Sequence, residues 1–246
     1  MTANLVLIIG STAALGQALA EEYAKTGCPL MLAARDLAAQ REIAADLRLR
    51  YAMEIHEFFY DANDATSYHA LIDSIVAVGI PRRLFFVVGA IGESDDLYSA
   101  QAVESLTRVN YLGIASLMAE FLPLLSGAAG TRVTFIGSVA GDRGRAVNPL
   151  YCAAKSALDT YAQGVRQLLQ PRGVGVCLVR LGYIDSRLSY GRVPRALTLT
   201  PVRAATLVKH ACENNRSIVY IPWWWSVIMA GIKMIPEVVW KRLPPF

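Results

Sequence analysis

Seven short apolar runs punctuate the chain, at Leu5–Ile9, Pro29–Ala33, Glu54–Tyr60, Leu84–Val88, Arg132–Ile136, Val174–Val179 and Ile218–Ile221. Each has the length of a strand, and most are apolar at successive rather than alternate positions. A strand with one wet face alternates; a strand covered on both faces reads as a continuous apolar run. Between the runs lie longer amphipathic stretches, which predict helices over Gly16–Thr26, Asp36–Tyr51, Ala65–Gly79, Ser99–Leu125, Leu150–Gln170 and Pro201–Glu213. Strand and helix alternate from end to end, so the expected architecture is α/β, a doubly wound parallel sheet with right-handed crossovers. No linker, internal repeat or low-complexity tract interrupts the pattern. Residues 1–222 read as one domain, and residues 223–246 as a C-terminal apolar helical tail of the same domain.

Composition narrows the function classes. The formal charge of +4 is modest and not gathered into a basic stripe with aromatics, which speaks against nucleic acid as a partner. Cys28, Cys152, Cys177 and Cys212 are widely spaced, and His56, His69 and His210 are scattered, so neither a disulfide framework nor a metal site is expected. The first residues carry no basic n-region and no small-residue cleavage site ahead of Leu5–Ile9, which predicts a cytoplasmic protein. Only 18% of residues are charged while 54% are hydrophobic, leaving room for apolar surface beyond the core.

The first predicted strand runs into Gly10-Ser11-Thr12-Ala13-Ala14-Leu15-Gly16, and a helix follows. Such a turn brings backbone N–H groups and a helix N-terminus to a pyrophosphate, and small residues let the phosphates approach the main chain. The second strand ends Ala33-Ala34-Arg35-Asp36, without the acid that binds a ribose 2′-hydroxyl in NAD-preferring folds. Arg35 suits a 2′-phosphate through forked, charge-assisted hydrogen bonds. Asp36 suits the cap of the next helix. Further on, Tyr151 and Lys155 stand at i and i+4 on one helix face, thirteen residues past Ser138 at a strand end.

Together these segments resemble the short-chain dehydrogenase/reductase family over about residues 5–186, as a divergent bacterial member. The family's TGxxxGxG loop is present with Ile9 for Thr and Ala14 for the middle Gly, while Gly10 and Gly16 are kept. Its NNAG segment is replaced by Val87-Val88-Gly89-Ala90, of which only Ala90 matches. Its PG-x-(V/I)-x-T turn reads Leu181-Gly182-Tyr183-Ile184-Asp185-Ser186. The resemblance implies a Rossmann fold, a catalytic set of Asn110, Ser138, Tyr151 and Lys155, and cofactor contacts from Gly10, Ser11, Thr12, Ala14, Leu15, Gly16, Arg35, Asp61, Ala90, Tyr151, Lys155, Gly182, Ile184 and Ser186. It implies an oxidoreductase that interconverts a ketone and a secondary alcohol, with NADP(H) preferred over NAD(H). Carbonyl reduction needs a proton on oxygen, and a phenol with an ordinary pKa of ~10 gives it efficiently only when a neighbouring ammonium eases ionisation. In the family the Asn carries a water that connects the Lys to solvent. The rival reading is a non-catalytic NADP(H)-binding sensor or scaffold subunit.

Two features stay open. Arg143, Arg145, Arg187, Arg192 and Arg195 either ring the pocket mouth to receive an anionic group or are solvated loop charges. The tail, with Trp223-Trp224-Trp225, Lys233, Lys241 and Arg242, is either a helix lying on a membrane surface, a dimer contact or a lid on the pocket. Its expected apolar face carries Val227, Ile228, Met234 and Ile235. A hydrophobic or lipid-linked small molecule, such as a keto-sugar, is the expected substrate, and a homo-oligomer the expected assembly.

Overall fold

The structure, a computed structural model, describes residues 4–92, 99–185 and 198–244. Strand β1 (Val6–Ile9) sends alternate side chains to opposite sides: Leu7 and Ile9 enter one core, Val6 and Ile8 the other. This is why the run is apolar throughout. Helix α1 (Ala14–Ala24) leads to β2 (Leu30–Ala34), α2 (Leu37–Tyr51), β3 (Ile55–Phe59), α3 (Thr66–Val78) and β4 (Arg83–Phe86). The second half runs α4 (Ala100–Thr107), α5 (Gly113–Leu124), β5 (Arg132–Ser138), α6 (Pro149–Leu169) and β6 (Gly175–Leu181). Two short strands, β7 (Tyr183–Ile184) and β8 (Thr198–Leu199), form a pair of their own. Helix α7 (Pro201–Glu213), β9 (Ile218–Ile221), α8 (Trp225–Met234) and α9 (Glu237–Trp240) complete the order.

The main sheet is wholly parallel, in the order β3-β2-β1-β4-β5-β6-β9. Helices α3, α5 and α6 cover one face through Ile72, Phe121 and Leu158; α1, α2 and α7 cover the other through Leu19, Leu47 and Val208. The order reverses between β1 and β4, and the crevice outside the strand C-termini at such a point is where an open α/β sheet binds ligands. Local signals act as expected. Asp36 accepts from Ala39 N at 3.0 Å and starts α2, and Thr200 with Pro201 starts α7.

Three features depart from the pattern reading. The helix expected over Ser99–Leu125 is interrupted by a π turn at Arg108–Leu112, where Asn110 folds its amide back onto the Leu106 carbonyl (2.9 Å). Strand β5 runs on to Ser138 because it stays paired with β6 as far as Leu181. In the tail, helical spacing stops at Met234, since Pro236 cannot donate to the ladder, and resumes as α9. The tail docks through Trp225 and Met229, buried against Val139 beside Tyr183 and Tyr220. At its rim the exposed Lys233 reaches Asp142 and the exposed Glu237 reaches Arg143. The expected apolar face therefore turns outward at Val227, Ile228 and Met234, while Ile235 is half-buried. Among the described residues no helix is long and apolar enough to cross a membrane.

Candidate active site

The loop after β1 is built for close approach. Gly10 holds φ +90°, and a Cβ there would sit 2.9 Å from the Val87 carbonyl; one on Gly16 would overlap the Gly10 carbonyl. Gly10 and Ser11 both donate their N–H to Ala33 O, at 2.8 and 3.2 Å, while the buried Ser11 hydroxyl reaches the same oxygen at 3.4 Å. These bonds fix the loop against β2. Gln17 donates to Thr12 O at 2.9 Å. Helix α1 then opens with Ala14, Leu15 and Gly16, with no side-chain cap and no acid in its first turn, which leaves its positive end free for an anion. Ala14 in place of a glycine is accommodated as the first residue of the helix. These residues fit a dinucleotide phosphate.

Arg35 lies exposed just past β2, with no ion pair among the described residues. Asp61, after β3, accepts from Asn63 N at 2.9 Å and stabilises its own turn. Asp64 accepts from Thr66 N at 3.0 Å just ahead of α3.

Across the switch point, three elements converge. Ser138 ends β5, its Oγ accepting from Ala140 N at 3.2 Å. Tyr151 and Lys155 project from one face of α6, which begins at Pro149. The Ser138 hydroxyl lies close enough to the Tyr151 phenol to favour its ionisation. Lys155 Nζ lies 5.8 Å from the Tyr151 ring centre and donates to Ile136 O (3.1 Å) and Val88 O (3.3 Å), tying α6 to the ends of β4 and β5. Tyr151 keeps part of its surface open, yet burial is the largest influence on its phenol and holds it above the usual range; Ser138 and Arg145 pull the other way. Lys155 is buried, and burial brings its ammonium down to about 8 while Asp159 opposes the shift. The phenol is thus a proton donor at neutral pH. Arg145 is one of the charges that ease its ionisation.

Asn110 is fully buried, and its amide grips the Ala90 peptide at both ends: Nδ2 donates to Ala90 O at 2.8 Å and Oδ1 accepts from Ala90 N at 3.1 Å. With a second bond to Leu106 O, both amide hydrogens are used. The wall that lacks the expected asparagines is therefore braced from the π turn. Gly182 follows β6 and donates to Ile221 O at 2.8 Å. A Cβ on it would overlap Trp225 Nε1 and lie 2.5 Å from Cδ1, so the tail forms the back of this turn. Ile184 sits in β7, paired with Leu199. Ser186, Arg187, Arg192 and Arg195 lie outside the described residues.

Of the two arginines after Ser138, Arg143 is taken up by the tail rather than by a pocket mouth. Arg143 Nη1 donates to the Ile232 and Ile235 carbonyls, both at 2.6 Å, and its guanidinium lies 4.2 Å from the Trp240 ring centre. It ends α8, whose last carbonyls need a donor. Arg145 is half-buried against Tyr183, 3.5 Å from its hydroxyl. The sequence reading missed Arg145 as a neighbour of Tyr151, and missed Asp159 and Arg180 beneath the site. For Asp159 a signal existed: it continues the i, i+4 spacing of Tyr151 and Lys155.

A family model described as short chain dehydrogenase matches residues 4–194. An uncharacterized oxidoreductase of Mycobacterium tuberculosis is 31% identical over 97% of this chain and 96% of its own length. A hydroxysteroid 11-beta-dehydrogenase 1-like protein of Xenopus laevis is 28% identical over 89% of this chain and 78% of its own. Among solved structures, a short-chain dehydrogenase from Sphingobium yanoikuyae in complex with NADPH superposes with a TM-score of 0.84 at 19% identity, covering 98% of this chain and 96% of that one. One from Burkholderia cenocepacia in complex with NADP gives 0.83 at 21% identity, over 99% and 98%. At those identities the two structures speak to the fold.

Proposed function

Because the chain belongs to the short-chain dehydrogenase family and is an oxidoreductase, we propose that it interconverts a ketone and a secondary alcohol, acting in reduction on a hydrophobic or lipid-linked carbonyl substrate with NADPH. The convergence of Ser138, Tyr151 and Lys155 outside the strand ends carries this reading. Bound along the Gly10–Gly16 loop, a nicotinamide dinucleotide supplies the hydride. The chain does the rest. Ser138 orients the substrate oxygen beside Tyr151, and Tyr151 gives that oxygen its proton. Lys155 keeps α6 in register with β4 and β5 and presents a positive charge to the site. The π turn at Asn110 breaks the regular carbonyl ladder near Lys155, where a water relay to solvent has its place. Preference for NADP(H) rests on Arg35, on the absence of an acid at the end of β2, and on the NADP(H) bound in the two structural relatives.

The test is NADPH oxidation over a panel of ketones, with Tyr151→Phe alongside. The expected result is turnover by the unmodified protein, loss of it in Tyr151→Phe, and unchanged NADPH binding in both. Tight NADPH binding with no turnover of any carbonyl compound would favour the sensor reading instead; a fully active Tyr151→Phe would refute the mechanism.

The outward face of the tail supports a peripheral membrane contact. Trp223 (71% exposed), Val227, Met234 (82% exposed), Val238 and Leu243 stand clear of the protein, with Lys241 and Arg242 exposed beside them. Apolar side chains rimmed by cations suit an anionic bilayer. Flotation with vesicles containing phosphatidylglycerol tests it. Binding should weaken at high salt and be lost in a Trp223→Ser, Met234→Ser variant; a full chain that does not float refutes it.

A further inference from the structure

Beneath the site lies a group of charges that the reaction as described does not use. Asp159 follows Lys155 by one turn on the same face of α6 and is buried. Its Oδ2 accepts from Arg180 Nε on β6 at 2.7 Å. Its Oδ1 has no hydrogen-bond partner and points at Gly137 of β5, where a Cβ would stand 2.9 Å away. The same segment of β5 supplies the Ile136 carbonyl that Lys155 holds. Arg180 also pairs with Asp142 in the turn after β5, at 3.1 Å. The Tyr220 hydroxyl on β9 completes the ring: it accepts from Arg180 Nη1 at 2.7 Å and donates to Asp142 at 2.8 Å. On the rim, Lys233 of α8 reaches Asp142 at 3.5 Å. Tyr151 and Ser138 lie on the site side of Lys155 as neutral hydroxyls.

We propose that Asp159 is the internal counter-ion of Lys155, held in place by Arg180, and that it acts through Lys155 to set the pH range over which the site works. Asp159 is a positioning residue in this role, and its effect on turnover rests on the function proposed above. Its effect on the charge of Lys155 does not.

Charge balance calls for an anion beside Lys155. A buried ammonium is expensive unless an anion accompanies it. The two carbonyls that Lys155 holds accept its hydrogens but carry no net charge. The nearest neutral set is Lys155 and Arg180 with Asp159 and Asp142. Without the Asp159 carboxylate, the buried Lys155 and the half-buried Arg180 would face Asp142 alone, and Asp142 is already engaged by Arg180, Tyr220 and Lys233. The directions agree. Burial lowers Lys155 to about 8 and Asp159 opposes this; burial raises Asp159 to about 6, and Arg180 and Lys155 oppose that. Lys155 is charged below its pKa. Loss of the carboxylate lowers that pKa, so the charge disappears at a lower pH.

The chain has five lysines, Lys25, Lys155, Lys209, Lys233 and Lys241. Carbon-13 labelling at the lysine ε position gives five signals, and Lys155 is assigned by replacing the other four singly with arginine. In Asp159→Asn the Lys155 midpoint should fall by about one pH unit or more, and Asp159→Glu should restore most of it. A folded Asp159→Asn protein with an unmoved midpoint overturns the proposal. If Asp159→Asn does not fold, the unmodified protein decides. The Lys155 signal must show a second inflection at acid pH as Asp159 gains its proton, and a single smooth curve overturns the proposal. Where turnover is measurable, the alkaline limb of reduction should move down with the Lys155 midpoint. A moved midpoint in a protein that reduces no carbonyl compound defeats the activity reading and leaves the counter-ion in place.

Discussion

Gly182→Ala tests whether the tail is part of the site or an ornament on it. The added methyl has nowhere to go: it would overlap Trp225 Nε1 and stand 2.5 Å from Cδ1. The obstacle is a rigid ring, 7% exposed and wedged between Val139 and Tyr183, with Tyr183 edge-on at 5.5 Å. Gly182 cannot retreat easily either, because its N–H is bonded to Ile221 O. Overpacking of this kind costs about 1–3 kcal/mol, which for a chain of this size lowers the melting temperature by roughly 2–12 °C. Trp225→Ala removes the ring and costs about 3–5 kcal/mol through the cavity it leaves. In that background the methyl at 182 has room, so the second substitution should cost almost nothing. The cycle, read from urea midpoints at constant m-value, should therefore show a favourable coupling of about 1–3 kcal/mol. Strictly additive costs, or a Gly182→Ala protein as stable as the parent, would mean that Trp225 does not back this turn.

Arg35→Ala should weaken NADPH binding about tenfold or more and leave NADH binding nearly unchanged, in line with loss of charge-assisted hydrogen bonds; fluorescence titration with both cofactors checks it, and equal affinities in the parent protein would remove the assignment. Arg143→Ala should destabilise the chain by about 1–3 kcal/mol, since it removes two hydrogen bonds from the end of α8, and limited proteolysis should then cut beyond Pro222 while the remainder stays protected. Carbonyl reduction should be steady at neutral pH and fall as pH rises through the region of about 8 where Lys155 loses its charge; a rate still rising at pH 9 contradicts that assignment.

The sheet was legible because burial on two faces leaves its mark on every residue of a strand. Leu7 and Ile8 serve different cores, and neither can be polar. The convergence of Ser138, Tyr151 and Lys155 was legible because a strand end and an i, i+4 pair on the following helix come to the same end of the sheet. What escaped was set by pairwise fit. Nothing in the spacing of Asn110 announces that its amide will hold the Ala90 peptide and open a π turn, since the partner lies twenty residues away. Arg143 looked like a pocket residue because its loop position is the mouth of such sites, but the carbonyls it satisfies belong to a helix some ninety residues later. The apolar face of the tail was recognised, yet its direction was not. Trp225 and Met229, one turn apart, anchor the helix, and that choice turns Val227 and Met234 outward.

The substitutions that mark this chain as divergent are connected by the structure. Replacement of the asparagine-rich segment by Val88-Gly89-Ala90 removes side chains that would brace the wall, and Asn110 supplies the bracing from the helix opposite. Gly89 leaves space there: a Cβ on it would lie 3.3 Å from Asn110 Oδ1 and 3.4 Å from Lys155 Nζ. On the other side of Lys155, the absent proline before Gly182 is matched by a turn packed on Trp225. The tail that provides Trp225 is itself tied down by Arg143 and Asp142, in the turn that follows Ser138. Asp142 in turn belongs to the ring of charges that ends at Asp159, under Lys155. Loss of the tail should therefore be felt at both ends of that path, at the Gly182 turn and at the buried lysine.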